Sequence, residues 1–97
     1  MLQVTHEAMA ILKEARNLSG ASPEAGLRLH SRRGAADLEQ VEVGFQRDPE
    51  PADQTIEMAD LRVFVSAELV EALSHRVLDV NATPQGPELT FRWANGG

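Results

Sequence analysis

The sequence contains no cysteine in its 97 residues, which removes disulfides and thiolate metal sites and, with them, the usual clue to redox compartment. Positive charge is also scarce. Lys and Arg number 9 against 15 Asp and Glu, for a net charge of -6, and Lys13 is the only lysine. That balance repels phosphate backbones and anionic headgroups at long range, so no nucleic acid and no membrane surface is expected as a partner. No apolar run approaches the ~20 residues that a spanning helix needs. The opening Met1-Leu2-Gln3-Val4-Thr5-His6-Glu7 has no basic segment ahead of an apolar one, which points to a cytoplasmic protein.

Recognised catalytic patterns are absent too. There is no Gly-x-Gly-x-x-Gly and no lysine-bearing phosphate loop. Ser19, Ser22, Ser31, Ser66 and Ser74 sit in no Gly-x-Ser-x-Gly elbow. Ser74 and His75 are neighbours in sequence, which does not by itself put an imidazole on a hydroxyl. His6, His30 and His75 are the only imidazoles, with Asp37, Glu39 and Asp79 as candidate oxygen ligands, but they form no His-x-His, His-Glu-x-x-His or calcium-loop spacing. The expectation is a protein that is not an enzyme and holds no metal or cofactor, with all three histidines structural or solvent-facing.

What is present is a foldable chain. Hydrophobic residues make up 42% and charged residues 25%, ordinary globular values, and the length suits one domain over 1–97. Thr5 can cap a first helix in which Ala8, Ile11, Leu12, Ala15 and Leu18 recur at helical spacing, and Gly20 with Pro23 ends it. From Gly26 the period becomes two. Leu27 and Leu29 alternate with Arg28 and His30, and Val41, Val43 and Phe45 alternate with Glu42 and Gly44, predicting two strands joined by a polar loop from Arg32 to Asp37.

The prolines of 48–53 make an extended acidic loop, and Thr55–Met58 with Leu61–Val65 suit a hairpin around Ala59-Asp60. Ser66 is a candidate cap for a short helix carrying Leu69, Val70 and Leu73. Val77–Val80 reads as a strand, a turn follows at Pro84, Gly86 and Pro87, and a last strand places Leu89, Phe91 and Trp93 on one face.

Two surfaces stand out. Arg28, His30 and Arg32 share one side of their strand with Arg33 alongside, which could make a positive patch for an acidic partner or a small anion. The alternative is cross-strand pairing with Glu39 and Glu42. Phe64 faces away from Leu61, Val63 and Val65, so it is either buried by the second helix or exposed at a subunit interface. Trp93 follows Leu89 and Phe91 and is expected in the core.

The order of helix, strands, hairpin, short helix, strand, turn and terminal strand resembles the A-type iron-sulfur carrier family, also called HesB-like or IscA-like. The stretches that carry the resemblance are Leu2-Gln3-Val4-Thr5, Gly26-Leu27-Arg28-Leu29, Asp53 to Val65 ending in Leu61-Arg62-Val63-Phe64-Val65, Leu78-Asp79-Val80 and Leu89-Thr90-Phe91-Arg92-Trp93. Together they span nearly the whole chain. The resemblance implies an α+β, β-rich fold: a HesB-like mixed β-sandwich or partly closed barrel with two short helices.

It also implies where cluster ligands would be. The family's loop cysteine corresponds to Ala35 or Ala36, and its terminal Cys-Gly-Cys falls at or beyond Asn95-Gly96-Gly97. Neither methyl groups nor glycine backbones can replace soft thiolates, so the family's cluster chemistry does not carry over. The hairpin lacks the family's frequent glycine near Asp60, and Ser66-Ala67 replaces a common Asp-Pro.

Trp93 lies near where the family's cluster and subunit contacts occur, so an aromatic filling a vacated cluster pocket is an alternative to core packing. The resemblance thus implies an accessory or protein-interaction role linked to iron-sulfur assembly, with assembly proteins or a second copy of the chain as partners. The alternative is a repurposed small-ligand or metal-binding domain of unrelated function. The candidate surface for either is Arg28, His30, Arg32, Arg33, Gly34, Ala35, Ala36 and Trp93.

Overall fold

The computed structural model describes residues 1–32, 38–58 and 60–94, and within them every side chain but that of Glu39. Strand β1 (Gln3–Val4) leads into helix α1 (His6–Leu18). The Thr5 hydroxyl accepts from the Ala8 amide at 3.2 Å, satisfying one of the free donors of the first turn, and Glu7 opposes the positive end of the helix dipole. Gly20, at φ 80°, takes the left-handed conformation that stops the helix.

Strands β2 (Gly26–Ser31), β3 (Val41–Gln46), β4 (Gln54–Glu57) and β5 (Arg62–Val65) form one sheet in the order β3-β2-β5-β4. Strand β2 runs antiparallel to β3 and parallel to β5, while β4 and β5 make the expected antiparallel hairpin. A 3₁₀ turn (Ala67–Leu69) runs into α2 (Val70–Leu73). Strands β6 (Arg76–Thr83) and β7 (Gly86–Trp93) then pair as a long hairpin, and β1 joins β6 in parallel, with Gln3 opposite Val77.

The result is a mixed β-sandwich with two helices whose sheets do not close into a barrel. Its fold class is the α+β, β-rich one that the resemblance implied, with the sandwich rather than the partly closed barrel. Among the described residues no helix is long and apolar enough to cross a membrane.

The core lies between the sheets. Leu27 and Leu29 of β2, Val63 and Val65 of β5, Ala8 and Leu12 of α1, Leu69 and Leu73 around α2, and Leu78 of β6 form one buried cluster. Period-two alternation puts Gly26, Arg28, Arg62 and Phe64 on the opposite, outer face of the four-stranded sheet.

Phe64 is nonetheless fully buried, but not by the second helix, whose Leu69 and Leu73 join the inner cluster. The Phe64 ring lies against Gly26, where an added Cβ would come within 2.6 Å of it. The Arg62 guanidinium sits 5.2 Å from the ring centroid and is held there by the carbonyls of Glu24 at 3.0 Å and Arg47 at 2.6 Å. Phe64 thus packs against Gly26 and under the Arg62 guanidinium on the outer face of the sheet.

Candidate functional site

Strand β2 positions the sequence-derived surface, because Arg28 and His30 alternate outward while Leu27 and Leu29 anchor the strand in the core. Arg28 does not face solvent as a free cation. It makes a bidentate pair with Asp53, Nε to Oδ2 at 2.8 Å and Nη2 to Oδ1 at 2.9 Å. The Asp53 side chain is only 1% exposed, and its Oδ2 also accepts from the Glu50 amide at 3.0 Å.

The hydrogen bonds from Arg28 hold the Asp53 carboxyl below the usual carboxylate range, and the pair in turn keeps Arg28 charged. One fork-on-fork contact therefore folds the acidic proline loop back onto the sheet. The cross-strand partner expected for Arg28 is replaced by this loop aspartate. The reason is geometric: the residue opposite Arg28 on β3 is Gly44, which offers no side chain.

Arg32 does pair with Glu42, at 3.2 Å, but with both side chains largely in solvent, where such a pair contributes about 0–1 kcal/mol. His30 is half-buried and lies opposite Glu42 in register. Arg33, Gly34, Ala35, Ala36 and Asp37 lie outside the described residues, as do Asn95, Gly96 and Gly97. At the far end of β2, Glu68 accepts from the Ser31 amide at 3.0 Å and the Ser66 hydroxyl at 2.6 Å. These bonds, the one from Ser66 foremost, lower its pKa. Ser66 thus tethers Glu68 rather than capping the helix through its side chain.

Trp93 departs from its expected place in the core. It opposes Arg76 across the hairpin, is 50% exposed, and has the Arg76 guanidinium 3.7 Å from its ring centroid. Its strand-mates Leu89 and Phe91 do pack against the core. Strand β7 outruns the core by one alternation, so its last inward-facing position meets an arginine instead of aliphatic partners. The reading of Trp93 as filler of a vacated cluster pocket involves 33–37 and 95–97, outside the described residues.

Of the carboxylates weighed as metal ligands, Asp37 and the side chain of Glu39 lie outside the described residues, and Asp79 is otherwise engaged. Asp79 accepts from the Arg92 guanidinium at 2.8 Å, the Val80 amide at 2.8 Å and the Thr5 hydroxyl at 3.0 Å, and this bonding, led by Arg92, lowers its pKa. His6 and His75 are exposed. Among the described residues no three His, Asp or Glu side chains come together as a metal site.

One feature was not read from the sequence. Where the outer strands β3 and β7 flank the core, the sheets gape and leave an open groove of about 400 Å³ lined chiefly by Leu29, Val41, Val43, Leu89 and Phe91. Val43 is 51% exposed there, although its alternation marks it as inward-facing. Leu38, beside the undescribed loop, also lines the groove. Period-two patterning identified these residues as one face of each strand, but it does not distinguish Val43, half in solvent, from Leu29, fully buried.

No family model matches the sequence, and no curated protein matches it. The three-dimensional fold is that of the A-type iron-sulfur carriers. IscA, in a crystal structure with its [2Fe-2S] cluster, is similar with a TM-score of 0.77 and 18% identity over 98% of this chain and 86% of that one. A protein from Aquifex aeolicus is similar with a TM-score of 0.70 and 21% identity, over 94% and 89% of the two chains. SufA of Escherichia coli, involved in biosynthesis of iron-sulfur clusters, has a TM-score of 0.67 and 18% identity over 99% of this chain and 87% of its own.

The donor set needed for such a cluster is not in this chain. Thiolates hold it, and the sequence has none.

Proposed function

We propose that this protein is a cytoplasmic accessory component of iron-sulfur cluster assembly that acts by protein contact, without catalysis and without holding a cluster itself. The observation that carries the reading is the pairing of a carrier fold over 98% of the chain with a cysteine count of zero. A scaffold that keeps the carrier's shape and lacks its ligands retains surfaces that assembly proteins can recognise. The solvent-exposed apolar positions near β7, Val43 and Trp93, give such contacts a hydrophobic component. The patch reading of Arg28, His30 and Arg32 gains less support, because Arg28 and Arg32 are each neutralised by a carboxylate. A homodimer is compatible with the same exposed positions.

The test is anaerobic affinity capture of the tagged protein from its native host, with mass spectrometry against an unrelated acidic protein of similar size. Enrichment of cluster carriers, cysteine desulfurase or cluster-receiving enzymes is expected, and the purified protein should be colourless. Trp93→Ala should lower that enrichment while costing about 1–3 kcal/mol of stability, since it removes the cation–π contact with Arg76 and the buried half of the indole. Recovery of the tagged protein alone, or a purified protein with stoichiometric iron and charge-transfer absorption, overturns the proposal.

A further inference from the structure

Five of the described cations are matched to carboxylates: Lys13 to Asp60, Arg28 to Asp53, Arg32 to Glu42, Arg47 to Glu24 and Arg92 to Asp79. Arg76 stacks on Trp93. Arg16 and Arg62, the latter stacked on Phe64, likewise have no carboxylate partner among the described residues, and both line the same pocket. In a chain with an excess of acids, two unpaired guanidinium groups at one place are unexpected.

Arg16 is the more constrained of the two. It projects from the last turn of α1 and is only 7% exposed. Its Nη1 donates to the Ala25 carbonyl at 3.2 Å and, more weakly, to the Asp60 carbonyl at 3.4 Å. Its Nε is buried without an acceptor, and among the described residues no acceptor meets Nη2. Two carbonyls and the negative end of the helix dipole offset part of the charge, but none of them is a full counter-charge. A buried cation in that condition gains most from an anion.

Arg62 also lines the pocket, with its Nη2 tied to the Glu24 and Arg47 carbonyls and without a carboxylate partner among the described residues. The open pocket they line has a volume of about 410 Å³ and is also lined by Ala25, Met58 and Leu61. Its two acidic wall residues, Glu24 and Asp60, are each paired with another cation, Arg47 at 3.1 Å and Lys13 at 2.9 Å.

We propose that the pocket lined by Arg16 and Arg62 binds a small oxyanion, the carboxylate or phosphate group of a free small molecule. With Arg16 Nη1 and Arg62 Nη2 committed to carbonyls, Arg16 Nη2 and the Nε and Nη1 of Arg62 are the donors left for paired oxygens, and the volume admits a ligand of several heavy atoms. The site lies at the carboxyl end of α1, beside Met58, Asp60 and Leu61.

The test is a titration of the ¹⁵N-labelled full chain at low salt, followed through the arginine Nε–H and backbone amide signals, with inorganic phosphate in one arm and succinate in the other. Saturable shifts are expected at Arg16, Arg62, Ala25 and Leu61, with an affinity on the order of 1 mM. Saturation with phosphate alone assigns the site to phosphates, with succinate alone to carboxylates, and with both to oxyanions generally.

Arg62→Gln should weaken binding about tenfold, the loss of one charged hydrogen-bonding group. Arg16 variants endanger the fold, so Asp60→Asn provides the second arm: Asp60 is exposed, and removing its carboxylate should tighten binding. Linear, unsaturable shifts with both anions, or weaker binding in Asp60→Asn, overturn the proposal.

Discussion

Gly26→Ala is the sharpest perturbation of the outer sheet face, because its cost can be worked from distances. A Cβ at Gly26 would lie 2.6 and 2.7 Å from Phe64 Cε2 and Cζ, and 3.0 Å from the Arg62 carbonyl oxygen. Comfortable carbon contacts are about 3.5–4.0 Å, so the ring must retreat by roughly 1 Å or the strands must part. Retreat is obstructed, since Phe64 is fully buried and Arg62 is clamped over it by two carbonyls. The carbonyl belongs to the parallel neighbour strand and cannot yield without loosening the β2–β5 ladder.

Overpacking of this kind costs about 1–3 kcal/mol. Against it stands the reduced freedom of the unfolded chain, worth about 0.4–1 kcal/mol, because Gly26 has no positive φ that alanine would resist. The net expectation is a loss of about 1–2 kcal/mol, and a domain of this size loses about 4–8 °C in Tm for each kcal/mol. Urea unfolding followed by circular dichroism gives the value directly. Adding Phe64→Leu should make the double variant more stable than the sum of the single losses by about 1 kcal/mol. Wild-type stability in Gly26→Ala, or strict additivity in the double variant, would refute the placement of Phe64 over Gly26.

Acid should unfold the protein through a small set of carboxylates. Asp53, Glu68 and Asp79 all have lowered pKa values in the folded state, so the unfolded chain takes up protons first as pH falls. Their stabilisation is therefore complete at neutral pH, begins to fade below about pH 5, and is lost as pH drops through the folded-state values. Asp53→Asn should be less stable at pH 7 but show a shallower loss between pH 5 and pH 3; an unchanged slope in denaturant titrations across that range refutes the role given to the Arg28–Asp53 pair. Glu68→Ala removes the acceptor of the Ser31 amide and the Ser66 hydroxyl and should cost about 1–2 kcal/mol. Glu68→Gln, which keeps a neutral acceptor, should cost less, and equal losses in the two variants would show that the hydrogen bonds contribute nothing.

Much of the fold was legible in the sequence because its signals are local. Thr5 ahead of a 3.6-residue stripe marked α1, alternation marked β2, β3 and β5, and the prolines and glycines marked the turns. Strand β1 escaped notice because two residues cannot display a period, and its partner Val77 lies at the other end of the chain.

The candidate surface was less legible. Arg28, His30 and Arg32 do share a side of one strand, but whether they form a patch depends on what faces them. The loop after β3 returns Asp53 to Arg28, and nothing in the alternation of β2 announces that. Arg16 reads as an ordinary polar position in a helix, yet it becomes a buried cation with no carboxylate partner among the described residues, bonded instead to the carbonyls of Ala25 and Asp60.

The absence of cysteine, by contrast, needed no structure: covalent composition alone excludes thiolate ligation at every site of this chain. Periodicity likewise determined which residues face inward, since it follows from backbone geometry residue by residue. Tertiary structure decided how far those faces close. Trp93 and Val43 obey the inward pattern yet remain half in solvent, because burial is set by the length and splay of two sheets that meet only in three dimensions, over separations that local pattern does not encode.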